Sequence, residues 1–425
     1  MSVEISEIAK GVQGYYIENN RFNTTLLSYN FYLPLNSENM ATNSLLVYIL
    51  TSCSEEFRDY IALNTRLLEL YGADLSCSVG KSGDYMHIKI GISVISDIFA
   101  FDSSSPVLEA SELISGLLFA PAIENNSFYK KDIDREKHKT IERIEGEINN
   151  KRAFARTRLM EEMFGADPYG KFIYGSTSEV NAITGEQLYE AWNTLLKSAY
   201  IRINVVGKDR PDFVFEKAKD LFSSIKRENI TVPGLFREVS PVDTPRIVTE
   251  RLDITQGKIA LGFTSNLHGG LRETAALSLF SDIFGGGPYS KLFENVREKQ
   301  SLCYYCSASS RRSKGIVTVE SGIEELNADK VVSAVMKELE DMKQGKIDDS
   351  KILASKKSVT DSLYGYYDNA NAIDLWYSRD FKEDCSPNEA IDIINNVTKQ
   401  EIIKVAKGVK LHTIYRLLPQ NRGCK

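Results

Sequence analysis

The stretch Gly285-Gly286-Gly287-Pro288-Tyr289-Ser290-Lys291-Leu292-Phe293-Glu294-Asn295-Val296-Arg297-Glu298-Lys299, continued by Ser301-Leu302-Cys303-Tyr304-Tyr305-Cys306, decides how the rest of the chain is read. A short helix is expected over Leu292 to Glu298, then two strands over Tyr304 to Ser309 and Gly315 to Ser321. The three glycines suggest a phosphate loop, but Lys291 is preceded by Ser290 and followed by Leu292, so G-x-x-x-x-G-K-[ST] is not met. They read instead as a tight turn into the Leu292 helix, in a loop lining a cleft. Cys303 and Cys306 form a C-x-x-C in a strand-like stretch with no second pair and no nearby histidine. They are assigned to packing, and zinc or redox chemistry is not expected of them.

Upstream, a helix over Glu273 to Phe284 and a strand over Lys258 to Phe263 precede the glycines. Before these, residues 228–246 hold Pro233, Gly234, Pro241 and Pro245 without sustained periodicity, the composition of a linker. The first half runs in a similar order. It has an alternating strand from Thr24 to Leu33, an apolar helical run from Asn43 to Leu50, and a second helix ending at Glu69-Leu70-Tyr71-Gly72. A hairpin around Lys81-Ser82-Gly83-Asp84 follows, then a long helix striped by Ile133, Ile141, Ile144 and Ile148. A helix from Gly185 to Lys197 leads into the strand Ile201 to Val206. The expected fold is α+β: two homologous lobes, 1–227 and 247–425, each a mostly antiparallel sheet with helices packed on it.

A chain of 425 residues exceeds what one hydrophobic core supports. Its formal net charge of -6 leaves no basic footprint for nucleic acid or anionic lipid. The opening MSVEISEIAKGVQGYYIENN carries no apolar run of signal-peptide length, and no stretch approaches the ~18 apolar residues of a membrane span. A cytoplasmic protein is expected, and the six scattered cysteines are expected to stay reduced.

The segment from Gly285 to Tyr304 resembles the C-terminal-lobe signature of pitrilysin-like (insulinase-type) metallopeptidases. Asp167-Pro168-Tyr169-Gly170, Gly175-Ser176, Ile183-Thr184, Leu188-Tyr189 and Val205-Val206-Gly207 resemble the same family's first lobe in order and spacing. Active members carry H-x-x-E-H on a helix near the start of that lobe. Residues i and i+4 share a helix face, so two imidazoles meet one zinc ion while the glutamate reaches the metal-bound water. This chain has four histidines, His87, His138, His268 and His412, and no two can form that pair. The resemblance places Ser44, Val47 and Tyr48 at the His, Glu and His positions, in a register that can slip by a residue or two. It puts the third ligand near Glu142 or Arg143. No metal or other cofactor is expected in this chain; a zinc site built from His87, His138 and scattered glutamates is discounted, because a lone histidine is usually structural or solvated.

The resemblance further implies that Arg297 and Tyr304 bind the substrate backbone and stabilise the attacked carbonyl, work for which a charged planar fork and a neutral hydroxyl donor are suited. Taken alone, Arg297 reads as a helix-terminal surface cation and Tyr304 as a half-buried strand residue. Tyr305, where the family usually has something smaller, can share or confuse the tyrosine role. A chain with this pair and no metal site resembles the family's noncatalytic subunits, which pair with a zinc-bearing paralogue and complete its peptide-cleaving site. More narrowly, it resembles the bacterial insulinase-like proteins named for association with modification of elongation factor P. The rivals are a scaffold or chaperone that holds a peptide without cutting it, and an independent enzyme with an unrecognised site.

Overall fold

The computed structural model describes residues 2–101, 104–234, 239–267, 270–379 and 385–420, so His268 and part of the expected linker lie outside the described residues. In chain order come β1 (Val3–Ala9), β2 (Val12–Glu18), β3 (Thr24–Pro34), α1 (Met40–Leu50), α2 (Tyr60–Glu69), β4 (Asp74–Ser82), β5 (Tyr85–Ile95), α3 (Pro106–Phe119), β6 (Ile123–Glu124), β7 (Ser127–Phe128), α4 (Lys130–Gly146), α5 (Lys151–Phe164), α6 (Thr177–Ala182), α7 (Gly185–Ser198), β8 (Tyr200–Gly207) and α8 (Asp212–Ser223). There follow β9 (Arg246–Leu252), β10 (Gly257–Thr264), α9 (Leu271–Gly285), a π-helical turn (Phe293–Glu298), β11 (Cys303–Arg311), β12 (Ile316–Ile323), α10 (Ala328–Lys343), α11 (Asp349–Tyr364), α12 (Ala370–Arg379), α13 (Pro387–Asn395), α14 (Lys399–Gly408) and β13 (Lys410–Pro419).

Two sheets organise these elements. One has the strand order β1-β2-β8-β3-β5-β4 and the other β11-β12-β10-β13-β9. Written from the other end, the second is β9-β13-β10-β12-β11, which superimposes in order on β2-β8-β3-β5-β4. The directions agree as well. β2 and β8 pair parallel, as do β9 and β13, and every later pair in both series is antiparallel. The repeat expected from the order of elements is therefore a repeat of sheet topology, with two homologous α+β lobes and one added edge strand, β1.

The lobes are not continuous in sequence. One compact unit comprises Met1–Glu145, Phe172–Gly234 and Tyr366–Phe381; the other comprises Gly146–Lys171, Leu235–Gly365 and Lys382–Lys425. A single division at 228–246, the boundary expected from the sequence, contains no such exchanges. The difference comes from two helices. α5 packs on β10 and β13, whereas α12 packs on β3 and β8, the equivalent strands of the other sheet.

In the first unit, β8 is buried along its whole length because strands flank it on both edges and helices cover its faces. The β4–β5 hairpin turns through Gly83 and Asp84, with Gly83 at φ +57°, a conformation that favours a residue without Cβ. α7 starts at a capping box in which Thr184 and Gln187 each bond the other's backbone N–H. α4 ends at Gly146, so Ile148 leaves the expected apolar stripe and lies exposed in the following 3-10 turn. α12 is held by polar groups set into the sheet. Asp374 accepts from Ser28 Oγ and Asn204 Nδ2, both at 2.7 Å, and pairs with Lys89 at 2.5 Å. Arg202 donates to the Tyr377 carbonyl at 2.6 Å and Tyr32 donates to that of Ser378.

In the second unit, α5 approaches β10 so closely at Gly262 that a Cβ there would stand 2.7 Å from Met163 Sδ. The expected Leu292 helix is present but widened. The Lys299 N–H bonds the Glu294 carbonyl, an i to i+5 contact that makes it a π turn, and buried Leu292 and Val296 anchor it. A second anchor is the buried pair of Lys291 with Glu338 at 3.0 Å, whose carboxylate also accepts from Asn295 at 2.9 Å.

Candidate functional site

α1 carries Ser44, Val47 and Tyr48, the three positions that the resemblance sets against the zinc motif. Ser44 and Val47 are fully buried, and Ser44 Oγ donates to the Ile173 carbonyl at 2.7 Å. The Tyr48 hydroxyl lies 3.1 Å from that of Tyr174. From α4, the Arg143 guanidinium carbon sits 4.4 Å from the centre of the Tyr48 ring and 5.2 Å from that of Tyr174. Burial, then the Tyr174 hydroxyl, push the Tyr48 phenol well above its usual range. These side chains do not fit a zinc ion, because they present one hydroxyl already committed to a carbonyl, one aliphatic group, one neutral phenol and a fixed cation.

The histidines stand elsewhere. His87 Nε2 lies 2.9 Å from Asn30 Oδ1 and its ring stacks on Tyr32 at 4.7 Å. His138 meets Glu142 at 3.3 Å on an exposed face of α4. His412 Nδ1 lies 2.8 Å from Thr413 Oγ1. Among the described residues no three His, Cys, Asp or Glu side chains form a group able to hold a metal ion.

Arg297 and Tyr304, by contrast, are brought together. Both line a pocket of about 400 Å³ in the second unit, shared with Glu298, Cys303, Glu324 and Asn327. The π turn presents Arg297, whose guanidinium carbon lies 4.6 Å from the Phe293 ring centre and whose Nε is 3.5 Å from Glu298. Tyr304 is half exposed and donates to Glu324 Oε1 at 3.2 Å. That hydrogen bond, followed by the carboxylate's charge, raises the Tyr304 pKa, so the hydroxyl stays protonated at neutral pH and remains a donor.

A register shift in β11 separates the two tyrosines. Cys303 faces Ile323 and Tyr305 faces Gly322 across the ladder, leaving Tyr304 as the extra residue of a bulge. Tyr305 lies outside the pocket lining, with Arg152 and Lys258 over its ring at 4.6 and 5.7 Å. Gly285, Gly286 and Gly287 are not on the pocket either. A Cβ on Gly285 would stand 2.4 Å from the Ala308 nitrogen, and one on Gly286 would stand 2.3 Å from Asp282 Oδ1, so these glycines serve close packing behind the turn. Glu324 was not legible as a site residue, since a lone carboxylate after a strand carries no motif.

A repeated α+β sheet and a polar pocket holding an arginine and a tyrosine, with no three-residue metal-binding group among the described residues, describe a peptidase-like protein. The family described as "Peptidase M16 inactive domain" matches residues 182–359. The "Probable inactive metalloprotease YmfF" of Bacillus subtilis is 27% identical over 409 residues, covering 96% of each chain. A conserved protein from Enterococcus faecalis, solved as a crystal structure, is 27% identical with a TM-score of 0.89, covering 99% of this chain and 100% of that one. A peptidase M16 inactive domain from Pseudomonas fluorescens shares the fold at a TM-score of 0.79 and 16% identity, covering 99% of both chains. Residues 182–359 match that inactive-domain family, and over nearly its whole length the chain is similar to noncatalytic, peptidase-like proteins of the pitrilysin-like (insulinase-type) kind. Among the described residues, no helix is long and apolar enough to cross a membrane.

Proposed function

We propose that this chain is the noncatalytic, peptide-binding subunit of a two-component peptidase, whose zinc and general base come from an insulinase-type paralogue. The observation that carries this reading is the convergence of Arg297 and Tyr304 on one pocket, in a chain whose first lobe holds Ser44, Val47 and Tyr48 where the resemblance places the zinc motif. A guanidinium and a protonated phenol are the donors a developing oxyanion needs, and they do not require a metal in the same chain. Glu298 and Glu324 give the pocket an acidic rim suited to the backbone N–H groups of an extended peptide.

The test is co-expression with a zinc-bearing paralogue, followed by light scattering on the purified mixture. A stable heteromer is expected, with an interface above the ~1,000 Å² typical of specific partners. Separate monomers at micromolar concentration, or homodimers alone, would favour a scaffold that holds peptide uncut.

A further inference from the structure

Cys303 and Cys306 are three residues apart, a spacing that in a regular strand puts side chains on opposite faces. The bulge at Tyr304 cancels that. Cys303 faces Ile323 and Cys306 faces Ser321, so the two cysteines span the same interval as two positions of β12 and share one face. At ~3.3 Å per strand residue their Cα atoms are about 6.6 Å apart, inside the upper limit of disulfide geometry. The thiols meet in the folded chain. The Cys306 S–H bonds the Cys303 sulfur, and the Ser321 hydroxyl is within reach of both. Cys303 lines the Arg297–Tyr304 pocket and is half-buried, whereas Cys306 is buried behind it.

We propose that Cys303 and Cys306 are a modification site for hydroperoxides, with Cys303 as the attacking thiolate and Cys306 as the resolving thiol. The Cys306 hydrogen bond, then the Ser321 hydroxyl and the Arg297 charge, lower the Cys303 pKa, while the same contact raises that of Cys306. Burial instead pushes up the Cys53 and Cys77 thiols. The thiolate, the reactive form, is therefore concentrated at Cys303. Its sulfur attacks the hydroperoxide. The O–O bond breaks, an S–O bond forms, and the alkoxide or hydroxide leaves and takes up a proton, giving a sulfenic acid. The Cys306 sulfur then attacks that sulfenic sulfur, forming the S–S bond and expelling hydroxide, which leaves as water with the Cys306 proton. Two thiols and one hydroperoxide become one disulfide, one alcohol or water, and one water. The product ties the two ends of the bulge that presents Tyr304 to the pocket.

The test uses the full reduced chain, one equivalent of hydrogen peroxide, an iodoacetamide quench and peptide mapping. Both cysteines fall in the tryptic peptide Gln300 to Arg311. That peptide should lose two hydrogens, escape alkylation and take up two labels after dithiothreitol. Cys306→Ser should leave a dimedone-reactive sulfenic acid on Cys303. Cys303→Ser, at the less buried position, should abolish oxidation of the peptide in a chain shown by circular dichroism to be folded. In the untreated protein at pH 7, Cys303 should alkylate on the order of tenfold faster than Cys53 or Cys77. Over-oxidation of Cys303 with Cys306 still a free thiol, prior modification of Cys53 or Cys77, or an unreactive peptide would each overturn the proposal.

Discussion

The guanidinium carbon of Arg143 stands 4.4 Å from the centre of the Tyr48 ring, so a fixed cation rests against α1 at a position that the resemblance sets against a zinc-binding histidine. A cation over an aromatic face gains about 0.5–2 kcal/mol, and a second cation beside it would be repelled. The purified chain should therefore carry far less than one zinc by elemental analysis and should cleave no peptide on its own. About one zinc per chain together with chelator-sensitive cleavage would contradict the noncatalytic assignment.

Asp374 is fully buried, ties α12 to Ser28 and Asn204, and neutralises Lys89. Asp374→Ala leaves the lysine without its counter-ion and the two polar side chains without their acceptor, a loss of about 3–5 kcal/mol. Both tryptophans of the chain, Trp192 and Trp376, belong to the same compact unit as Asp374. Urea unfolding followed by tryptophan fluorescence should thus report that unit, and its midpoint should fall sharply. An unchanged midpoint would show that the buried pair contributes nothing to holding α12.

The polar clamp also shows what the sequence could and could not reveal. Alternation in Thr24–Leu33 and Ile201–Val206 marks the strands, and the repeated order of elements gives the two lobes. Neither says that α12 returns to the first sheet, because the local pattern of a helix does not name its partner. A trace was present, in that Ser28, Asn30, Arg202 and Asn204 interrupt otherwise apolar strands at every second position and are buried. Such residues need polar partners, and α12 supplies several of them. The Arg297–Tyr304 pair was legible through its motif. The bulge was not, because a strict period of two puts Cys303 with Tyr305 and Tyr304 with Cys306, and only the register with β12 reverses that.

Tyr304 is raised above its ordinary value by the Glu324 hydrogen bond and then by the Glu324 charge. Replacing the carboxylate by an amide removes the charge and weakens the acceptor, so Glu324→Gln should bring the Tyr304 pKa down toward ~10. An NMR titration of ring-labelled tyrosine would follow it. At pH 7 the hydroxyl is a donor in both proteins, which makes the variant a clean probe of the contact. An unshifted titration would mean that Tyr304 does not hold Glu324 in solution.

In an active complex with a zinc-bearing partner, Arg297→Ala and Tyr304→Phe should each lower turnover about 10²-fold while assembly, read by light scattering, is unchanged. The loss should fall on kcat. These donors strengthen their bonds only as the carbonyl becomes tetrahedral, whereas a cleft-lining change remote from the reacting bond should mainly raise KM. Tyr305→Phe is the internal control, because Tyr305 lies outside the pocket lining and packs under Arg152 and Lys258. It should leave kcat close to that of the parent complex. An equal loss from Tyr305→Phe would move the tyrosine role by one residue along β11 and would mean that the bulge rearranges in the complex. If Arg297→Ala leaves kcat of a verified active complex unchanged, the pocket holds peptide without acting on the transition state, and the chain serves as a scaffold.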